Sequence, residues 1–205
     1  MIITLWWKAW SWKWTVSKLL AEKLNYEIIS IGTLKRKLAE EMWLSILEFN
    51  LLWEKPENQK EFDLKFEEYQ KSLDVNSGIL LESRLWFLCQ PHAFKVFLDV
   101  SDEVASKRIL WDNRTTDNYD SFESTLQATK ERNESDRNRY IKLYWIDLWD
   151  KGNYDFMIST DNKTPAEVCD DIITAFEEYQ KVIKMLNFLL ILCFFSIFMY
   201  VFIYY

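Results

Sequence analysis

The most constraining feature of this chain is the run of residues 5–16, which reads LWWKAWSWKWTV and holds five tryptophans. It joins a short apolar run typical of a β-strand, residues 1–5, to a run with helical spacing, residues 15–24. A tight turn from strand to helix needs positive φ and close backbone approach, which glycine tolerates and a bulky residue resists. With glycine at positions 7, 10, 12 and 14 the loop reads GKAGSGKGT. That pattern is typical of a P-loop, in which backbone N–H groups and a helix N-terminus cradle phosphates.

The amino-acid composition supports the same substitution. The chain has 3 Gly and 11 Trp in 205 residues. A typical glycine content of about 7% predicts roughly 14 glycines in a chain of this length. The glycines and tryptophans together match that number. Trp43, Trp53 and Trp111 stand where helices are predicted to end, the usual place of glycine. Trp149 follows this pattern of tryptophan in place of glycine less clearly, because its position also tolerates an aromatic residue. Some bacterial lineages read the UGA codon as glycine, whereas common alternative tables give tryptophan. We therefore interpret these positions as glycines whose codons have been translated as tryptophan. The alternative is a genuine tryptophan-rich protein. Its indole rings would exclude phosphate, and the protein would be catalytically inactive.

Length, charge and cysteine content restrict the class of protein. The chain is long enough for one domain, or one domain with an appendage. The net charge of −7 argues against a non-specific nucleic-acid binder, which usually carries a basic face. The three cysteines, Cys89, Cys169 and Cys193, have neither metal-site nor disulfide spacing, so a reducing compartment is expected. His92 is the only histidine, which excludes a histidine-rich metal site. No signal peptide is expected at the N-terminus. These features predict a cytoplasmic protein.

Strands and helices are predicted to alternate along the chain. Apolar runs predict strands at 1–5, 26–31, 79–84, 93–100 and 154–159. Helical spacing and capping signals predict helices at 15–24, 34–41, 44–52, 57–73, 104–110, 122–144 and from 165 onward. This alternation predicts an α/β fold of three layers with a mainly parallel sheet, followed by a C-terminal hydrophobic helix.

The C-terminal segment has a different composition from the rest. Residues 185–205 include no charged side chain, and residues 186–205 are long enough to cross a hydrocarbon core of about 30 Å as a helix. We therefore divide the chain into a domain at 1–181 and a hydrophobic tail at 182–205. Two interpretations of the tail stay open: a membrane anchor, or an unselected extension, since AT-rich DNA encodes such residues in almost any frame.

The P-loop implies phosphoryl transfer from ATP, which depends mainly on positioning and charge neutralisation. In this interpretation Lys13 reaches the β- and γ-phosphates, and Thr15 and Glu82 hold Mg²⁺. One face of the long predicted helix carries Arg132, Asp136 and Arg139, which recur at i, i+4 and i+7. The candidate catalytic residues are Lys13, from the loop, and Arg132 and Arg139, from this helix. No dedicated base is required if the acceptor is itself a phosphate. The predicted ATP-binding loop consists of Trp7, Lys8, Ala9, Trp10, Ser11, Trp12, Lys13, Trp14 and Thr15.

Taken together, these segments resemble the short, archaeal-type cytidylate kinases of the nucleoside-monophosphate kinase group, over roughly residues 1–181. The matching pieces are the loop at 7–15 with Trp as Gly, ISIGTLKR at 29–36, LLESRL at 80–85, KVFLD at 95–99, ERNESDRNRY at 131–140 and YWID at 144–147, similar to the family's Tyr-Gly-Ile-Asp. The P-loop is generic, whereas the later motifs in this order are more specific. The chain departs from the family at Thr33, often acidic in relatives, at the tryptophans, and in its hydrophobic tail.

The resemblance implies a role for each matching residue. It implies a P-loop fold with helical substrate-binding and lid segments, and phosphoryl transfer from ATP, with Mg²⁺, to CMP or dCMP. The expected partners are small-molecule nucleotides and no nucleic acid, with a membrane as a further partner if the tail at 186–205 is an anchor, and a monomer is expected. The acceptor monophosphate would be bound by Arg36 and Arg84, with Ser30 and Gly32 nearby. Phosphates and ribose would be contacted by Arg132, Asp136 and Arg139. The lid would contain Arg108 and Arg114, and residues 161–165 would lie near the ATP base.

Two alternatives remain at this point. Another small P-loop kinase, such as an adenylate kinase, shares most of these signals, although the chain lacks a Cys₄ lid or a long lid insertion. A non-catalytic, tail-anchored protein with a degenerate nucleotide fold is the alternative if the tryptophans are real. The DNA sequence discriminates: UGA at the tryptophan codons supports the enzyme, and UGG supports the degenerate protein.

Overall fold

Five parallel strands form the centre of the protein, and the strand that precedes the P-loop lies in the middle of the sheet. The computed structural model describes residues 1–8, 10–53, 55–111 and 121–204, without the side chains of residues 56, 59, 60 and 195–204. The strands are β1 (Ile3–Trp7), β2 (Glu27–Ser30), β3 (Ile79–Glu82), β4 (Phe94–Asp99) and β5 (Phe156–Ser159). Their order is β2-β3-β1-β4-β5, and every pairing is parallel. The predicted parallel α/β fold is confirmed.

Helices connect the strands, as parallel pairing requires. They are α1 (Lys13–Leu24), α2 (Ile31–Glu41), α3 (Ile46–Trp53), α4 (Pro56–Lys71), α5 (Trp86–Cys89), α6 (Asp102–Trp111), α7 (Phe122–Tyr144) and α8 (Pro165–Tyr204), with a 3₁₀ turn at Lys151–Asn153. Capping explains several of the helix starts. Ser121 and Ser124 form a reciprocal capping box at α7, and the Thr164 hydroxyl accepts from the Glu167 N–H at α8. The short helix α5 and the 3₁₀ turn were not predicted.

The core lies against the sheet, whose central strands are apolar along their length. Leu5, Leu80 and Leu98, on β1, β3 and β4, are fully buried, as expected for a parallel sheet covered on both faces. One cluster of buried side chains contains Ile2, Ile29, Ile79, Leu81 and Ala93. A second contains Trp6, Trp86, Phe97, Tyr140 and Leu148. A third, between α2, α3 and α4, contains Ala39, Phe49 and Trp53.

The chain divides into two compact units, Met1–Cys169 and Asp170–Tyr205. The predicted boundary between residues 181 and 182 stays a prediction. Within the described part of the chain, no helix is long and apolar enough to span a membrane. The side chains of residues 195–205, which form half of the predicted anchor at 186–205, lie outside the described part.

Several tryptophans occupy backbone conformations that suit glycine. Of the five described residues with left-handed backbone, four are tryptophans, at φ 66° (Trp10), 63° (Trp12), 58° (Trp43) and 58° (Trp145). Left-handed backbone brings Cβ too close to the following carbonyl oxygen, at a cost of about 1–2 kcal/mol per residue. Trp43 and Trp145 are also almost fully exposed, so packing does not compensate for this strain. These positions have the backbone that a glycine would adopt.

Buried tryptophans divide into two kinds. Trp6 and Trp86 are buried, and the indole N–H of each has no hydrogen-bond partner in the described part of the chain, which is unfavourable for a buried donor. Trp53 is different, because its indole N–H donates to Asp63 Oδ1 at 2.9 Å and its ring stacks on Phe62 and Phe66. Trp43 therefore has left-handed backbone, whereas Trp53 packs and hydrogen-bonds through its ring, and the prediction of glycine at helix ends stays a prediction.

We expect Trp145→Gly to stabilise the protein by about 1 kcal/mol. Trp145 caps the C-terminus of α7 in left-handed backbone, and its N–H bonds the Ile141 carbonyl at 2.9 Å, a contact that glycine retains. Urea denaturation measures the change. Trp53→Gly is the matched control, because it removes a packed ring and should destabilise by about 3–5 kcal/mol. A loss of stability in Trp145→Gly would contradict the strain argument.

Candidate active site

The carboxyl ends of all five parallel strands meet at one edge of the sheet, where ligands bind in α/β proteins. Ser30 at the end of β2 is the register partner of Glu82 at the end of β3. Asp99 at the end of β4 is the partner of Ser159 at the end of β5. The loop that follows β1 lies between these two pairs, since β1 lies between β3 and β4. The fold thus gathers the separate predicted segments at one edge.

Two residues in the described part of the loop after β1 have left-handed backbone. Trp10 and Trp12 are left-handed, and Trp12 is the N-cap of α1. The Ser11 N–H donates to the Lys8 carbonyl at 3.3 Å, and the Lys8 N–H donates to the Leu98 carbonyl at 3.1 Å. Alternation between left-handed and right-handed residues turns successive N–H groups toward one anion site. Ala9 lies outside the described residues.

The indole rings of this loop lie against the cations that a triphosphate would need. Lys13 Nζ is 4.4 Å from the centre of the Trp7 ring, and the Arg108 guanidinium is 4.5 Å from that of Trp12. Such cation–π contacts contribute about 0.5–2 kcal/mol each. Trp14, also exposed, covers Lys18 in the same way, at 4.5 Å. The indoles therefore compete with any anion for these positive groups.

A buried carboxylate lies beneath the loop. The Glu82 side chain has no exposed surface, and both of its oxygens are engaged: Lys13 Nζ contacts Oε2 at 2.7 Å and the Ser17 hydroxyl donates to Oε1 at 2.6 Å. A buried carboxylate needs such partners, because desolvation penalises an unpaired charge heavily. Glu82 was predicted as a Mg²⁺ ligand together with Thr15, which is exposed in the first turn of α1. Ser17 was not predicted, although its i+4 spacing from Lys13 is a readable signal.

The predicted acceptor residues of β2 and α2 lie together. Arg36 Nη2 donates to the Thr33 hydroxyl at 3.0 Å. A β-carbon added to Gly32 would lie 3.8 Å from Arg36 Nη1 and 3.9 Å from Ser30 Oγ. Because Ser30 pairs in register with Glu82, this group adjoins the end of β3. The structure thus brings together Ser30, Gly32 and Arg36, and their role at an acceptor site stays a prediction.

Arg84, two residues beyond the end of β3, reaches the long helix α7. Its Nη1 lies 2.9 Å from Asp136 Oδ2, and it also contacts the buried Tyr140. Burial raises the pKa of Tyr140 above its ordinary value, while the positive charges of Arg84 and Arg139 oppose that shift. Arg132 and Arg139, on the same helix, are exposed. Arg84 and Asp136, predicted from distant segments, are therefore direct partners.

Arg108 bonds the P-loop to the end of β5. Its Nη1 donates to the Trp10 carbonyl at 2.8 Å and to the Thr160 hydroxyl at 3.0 Å, and its Nη2 donates to the Thr160 carbonyl at 2.6 Å. Burial lowers the pKa of Arg108 below its ordinary value. This contact with the loop was not predicted, since sequence assigned Arg108 to a lid. Arg114, the other predicted lid residue, lies outside the described residues.

Two further contacts hold the loop region. Lys8 Nζ lies 2.7 Å from Asp99 Oδ1 and 4.9 Å from the Trp149 ring centre. Asp161, in the segment predicted to lie near the ATP base, accepts the Ser101 N–H at 2.9 Å. The segment after β5 is therefore tied to the segment after β4. Neither Asp99 nor Thr160 was singled out in the sequence, because only the strand register reveals their position beside the loop.

Curated proteins with similar sequences include a nucleotide dehydratase and several cytidylate kinases. The chain is 40% identical over 173 residues, 82% of its length, to an S-adenosylmethionine-dependent nucleotide dehydratase from Lacinutrix mariniflava, but spans only about a third of that protein (34%). It is 34% identical over 184 residues to a cytidylate kinase from Halobacterium salinarum, with 88% of this chain and 91% of that kinase covered. A cytidylate kinase from Sulfurisphaera tokodaii is 35% identical over 161 residues, with 77% and 85% covered. Similarity to these kinases thus extends over most of their length.

Solved structures share the fold at low sequence identity. A shikimate kinase from Bacteroides thetaiotaomicron superposes with a TM-score of 0.57 at 14% identity, covering 90% of this chain and 98% of that one. A gluconokinase from Sinorhizobium meliloti 1021 gives 0.53 at 15% identity, covering 89% and 95%. At such identities the likeness shows the P-loop kinase fold alone. No protein-family model matches the chain.

Proposed function

Because this chain belongs to the cytidylate kinase family, we propose that it transfers the γ-phosphoryl group of ATP to a nucleoside monophosphate, with CMP or dCMP as the preferred acceptor. In this reaction an oxygen of the acceptor phosphate attacks Pγ and the bond to the β,γ-bridging oxygen breaks, giving ADP and CDP or dCDP. One observation carries the proposal: the loop after β1, with Lys13, lies at the same sheet edge as the Arg84–Asp136 pair and the group around Arg36. A donor site and an acceptor site side by side suit direct transfer.

We further propose that positions 7, 10, 12 and 14 are glycine in the active protein. The left-handed backbone of Trp10 and Trp12 supports this, as do the Trp7 and Trp12 rings that lie against Lys13 and Arg108. A glycine at each position would keep the backbone and remove the rings that lie against Lys13 and Arg108. The codons test this directly. UGA at these positions supports the proposal, and UGG at all of them overturns it.

The fit of ATP and Mg²⁺ can be tested against the residues present. The Ser11 hydroxyl is buried and has no hydrogen-bond partner in the described part of the chain, as expected for a group in a loop that encloses a ligand. The exposed Thr15 hydroxyl is available as an oxygen ligand for Mg²⁺, which usually takes one or two protein oxygens together with phosphates. When bound, Mg²⁺ would neutralise charge on the β- and γ-phosphates. The residues therefore fit these groups.

The chain's own residues supply binding and charge neutralisation. In our proposal Lys13 turns from Glu82 to the β- and γ-phosphates, while Ser17 keeps the carboxylate of Glu82 in place. Arg132 and Arg139, on the exposed side of α7, neutralise the transferred group. Arg84 and Arg36 hold the acceptor phosphate, which requires no base because it is already an anion. Asp136 keeps the Arg84 guanidinium oriented before the acceptor arrives.

Formation of CDP tests the proposed activity. The protein with glycine at the four loop positions is incubated with ATP, Mg²⁺ and CMP, dCMP, UMP or AMP, and initial rates are measured. We expect the highest kcat/KM with CMP or dCMP. A preference for AMP would overturn the cytidylate assignment and leave a nucleotide kinase. No transfer to any monophosphate would overturn the proposed function.

We expect Arg84→Lys to raise KM for CMP about 10- to 100-fold and to leave KM for ATP nearly unchanged. Lysine keeps the positive charge but loses the planar fork that binds a phosphate through two parallel hydrogen bonds. Steady-state kinetics with each substrate varied in turn measures both constants. Unchanged values of KM for CMP would mean that Arg84 only supports α7 through Asp136, and that the acceptor site lies elsewhere.

A further inference from the structure

Two adjacent residues of helix α7, Asp136 and Arg137, form ion pairs with other segments of the domain. Asp136 pairs with Arg84 just beyond the end of β3. Arg137, about 100° further around the helix, points to a different segment and pairs with Asp147, in the loop that leads from α7 to β5. Neither the sequence motifs nor the proposed mechanism assigns a role to Arg137 or Asp147.

The contact between Arg137 and Asp147 is a two-point fork. Arg137 Nε donates to Asp147 Oδ1 at 2.9 Å, and Nη2 donates to Oδ2. The paired geometry fixes orientation as well as distance, which a single contact does not. The hydrogen bonds from Arg137 are the main cause of a lowered pKa for Asp147, so the carboxylate is charged at neutral pH. The fork therefore restricts the rotation of α7 about its own axis, together with the hydrogen bonds that join Asn133 and Thr129 to α6.

The Asp147 segment is itself fixed to the core. Asp147 Oδ1 also accepts the Trp149 N–H at 3.0 Å, and the Asp147 carbonyl accepts the Asn153 side chain at 2.8 Å. The next residue, Leu148, is fully buried in the cluster with Phe97, and its carbonyl accepts the Tyr154 hydroxyl at 2.8 Å. An ordinary surface ion pair between two mobile side chains lacks such support. Arg137 is thus bonded to a rigid anchor.

We propose that Arg137 and Asp147 are positioning residues for phosphoryl transfer. Their fork holds α7 at the rotation that lets Asp136 orient Arg84 and directs Arg132 and Arg139 to the transferred phosphoryl group. This inference rests on the proposed function, because it concerns the geometry of that reaction. A misplacement of about 1 Å reduces rates on the order of 100-fold, whereas breaking a half-exposed ion pair has little effect on folding.

The test is a double-mutant cycle in the protein with glycine at the four loop positions. The variants are Arg137→Met, which keeps the length of the apolar stem, Asp147→Asn, which keeps the shape of the side chain, and both together. We expect each single variant to lower kcat about 10- to 100-fold, with KM for ATP within about twofold. The double variant should lose no more than either single variant, because both remove the same contact. Arg137→Lys should retain an intermediate kcat.

Controls separate positioning from general stability. Glu61→Gln removes the exposed Lys65–Glu61 pair, with a contact of 2.8 Å, and should leave kcat and the melting temperature unchanged. Losses of kcat that add in the double variant, or variants that melt earlier with normal kcat, would overturn the positioning role. An active parent with unaffected variants overturns this inference alone. A parent that transfers phosphoryl to no monophosphate overturns the proposed function and this inference together.

Discussion

Glycine at positions 7, 10, 12 and 14 is expected to convert a chain that does not bind ATP·Mg²⁺ into one that binds it in the micromolar to millimolar range usual for enzyme substrates. The change removes two strained left-handed residues, Trp10 and Trp12. It also removes the rings that lie 4.4 Å from Lys13 and 4.5 Å from Arg108. Backbone N–H groups and Lys13 then become available to the phosphates. Calorimetric titration with ATP·Mg²⁺ measures the affinity of each protein.

A matched control separates the loop from the other tryptophans. In this control Trp43, Trp111 and Trp145, all highly exposed, are replaced by glycine while the loop keeps its indoles. We expect it to gain stability from positions 43 and 145 and still not to bind ATP. Equal ATP affinity of the loop variant and the original chain would show that the indoles do not obstruct the site, and the glycine proposal would then fail.

The second large effect is expected for Lys13→Ala in the protein with glycine at positions 7, 10, 12 and 14. In this variant kcat should fall about 100- to 1000-fold. In our proposal Lys13 contacts the β- and γ-phosphates, and its charge acts mainly on the phosphoryl group in transit. The structure adds a second consequence. Glu82 has no exposed surface and would lose its cationic partner, so stability should fall as well. Steady-state kinetics and a thermal melt, measured together, report both effects.

A double variant distinguishes the two consequences. Lys13→Ala with Glu82→Gln removes the buried negative charge, so the melting temperature should return toward that of the parent while kcat stays low. Recovery of kcat in the double variant would mean that the single variant is slow because its loop is distorted. In that case another group would have to supply the charge on the phosphates.

Features that depend on local sequence could be predicted. The helix Phe122–Tyr144 has the predicted bounds, because its helical spacing lies within one continuous segment of sequence. The five strands were found because apolar runs of four to six residues between turns suit a parallel sheet. The short helix Trp86–Cys89 was missed, since one turn carries no periodic signal.

Features that depend on contacts between distant segments could not be predicted. The fork from Arg137 to Asp147 and the bonds from Arg108 to Trp10 and Thr160 join segments whose approach only the folded chain defines. A sequence shows that a residue carries a charge but not which partner satisfies it. Trp53 illustrates the same limit in the core, because its position at a helix end suggested glycine while its ring packs on Phe62 and Phe66.

The strand order also has a consequence for the time course of folding. In β1, Ile3 pairs with Leu80 on one side and with Phe94 on the other, so neither edge of this strand can be covered by local sequence. At a synthesis rate of about 5–20 residues per second, β1 waits on the order of ten seconds for its second neighbour. Such non-local pairing slows folding and leaves an apolar strand open to wrong partners. Nascent chains that stop before Phe94 should therefore depend on chaperones more than those that extend past Asp99.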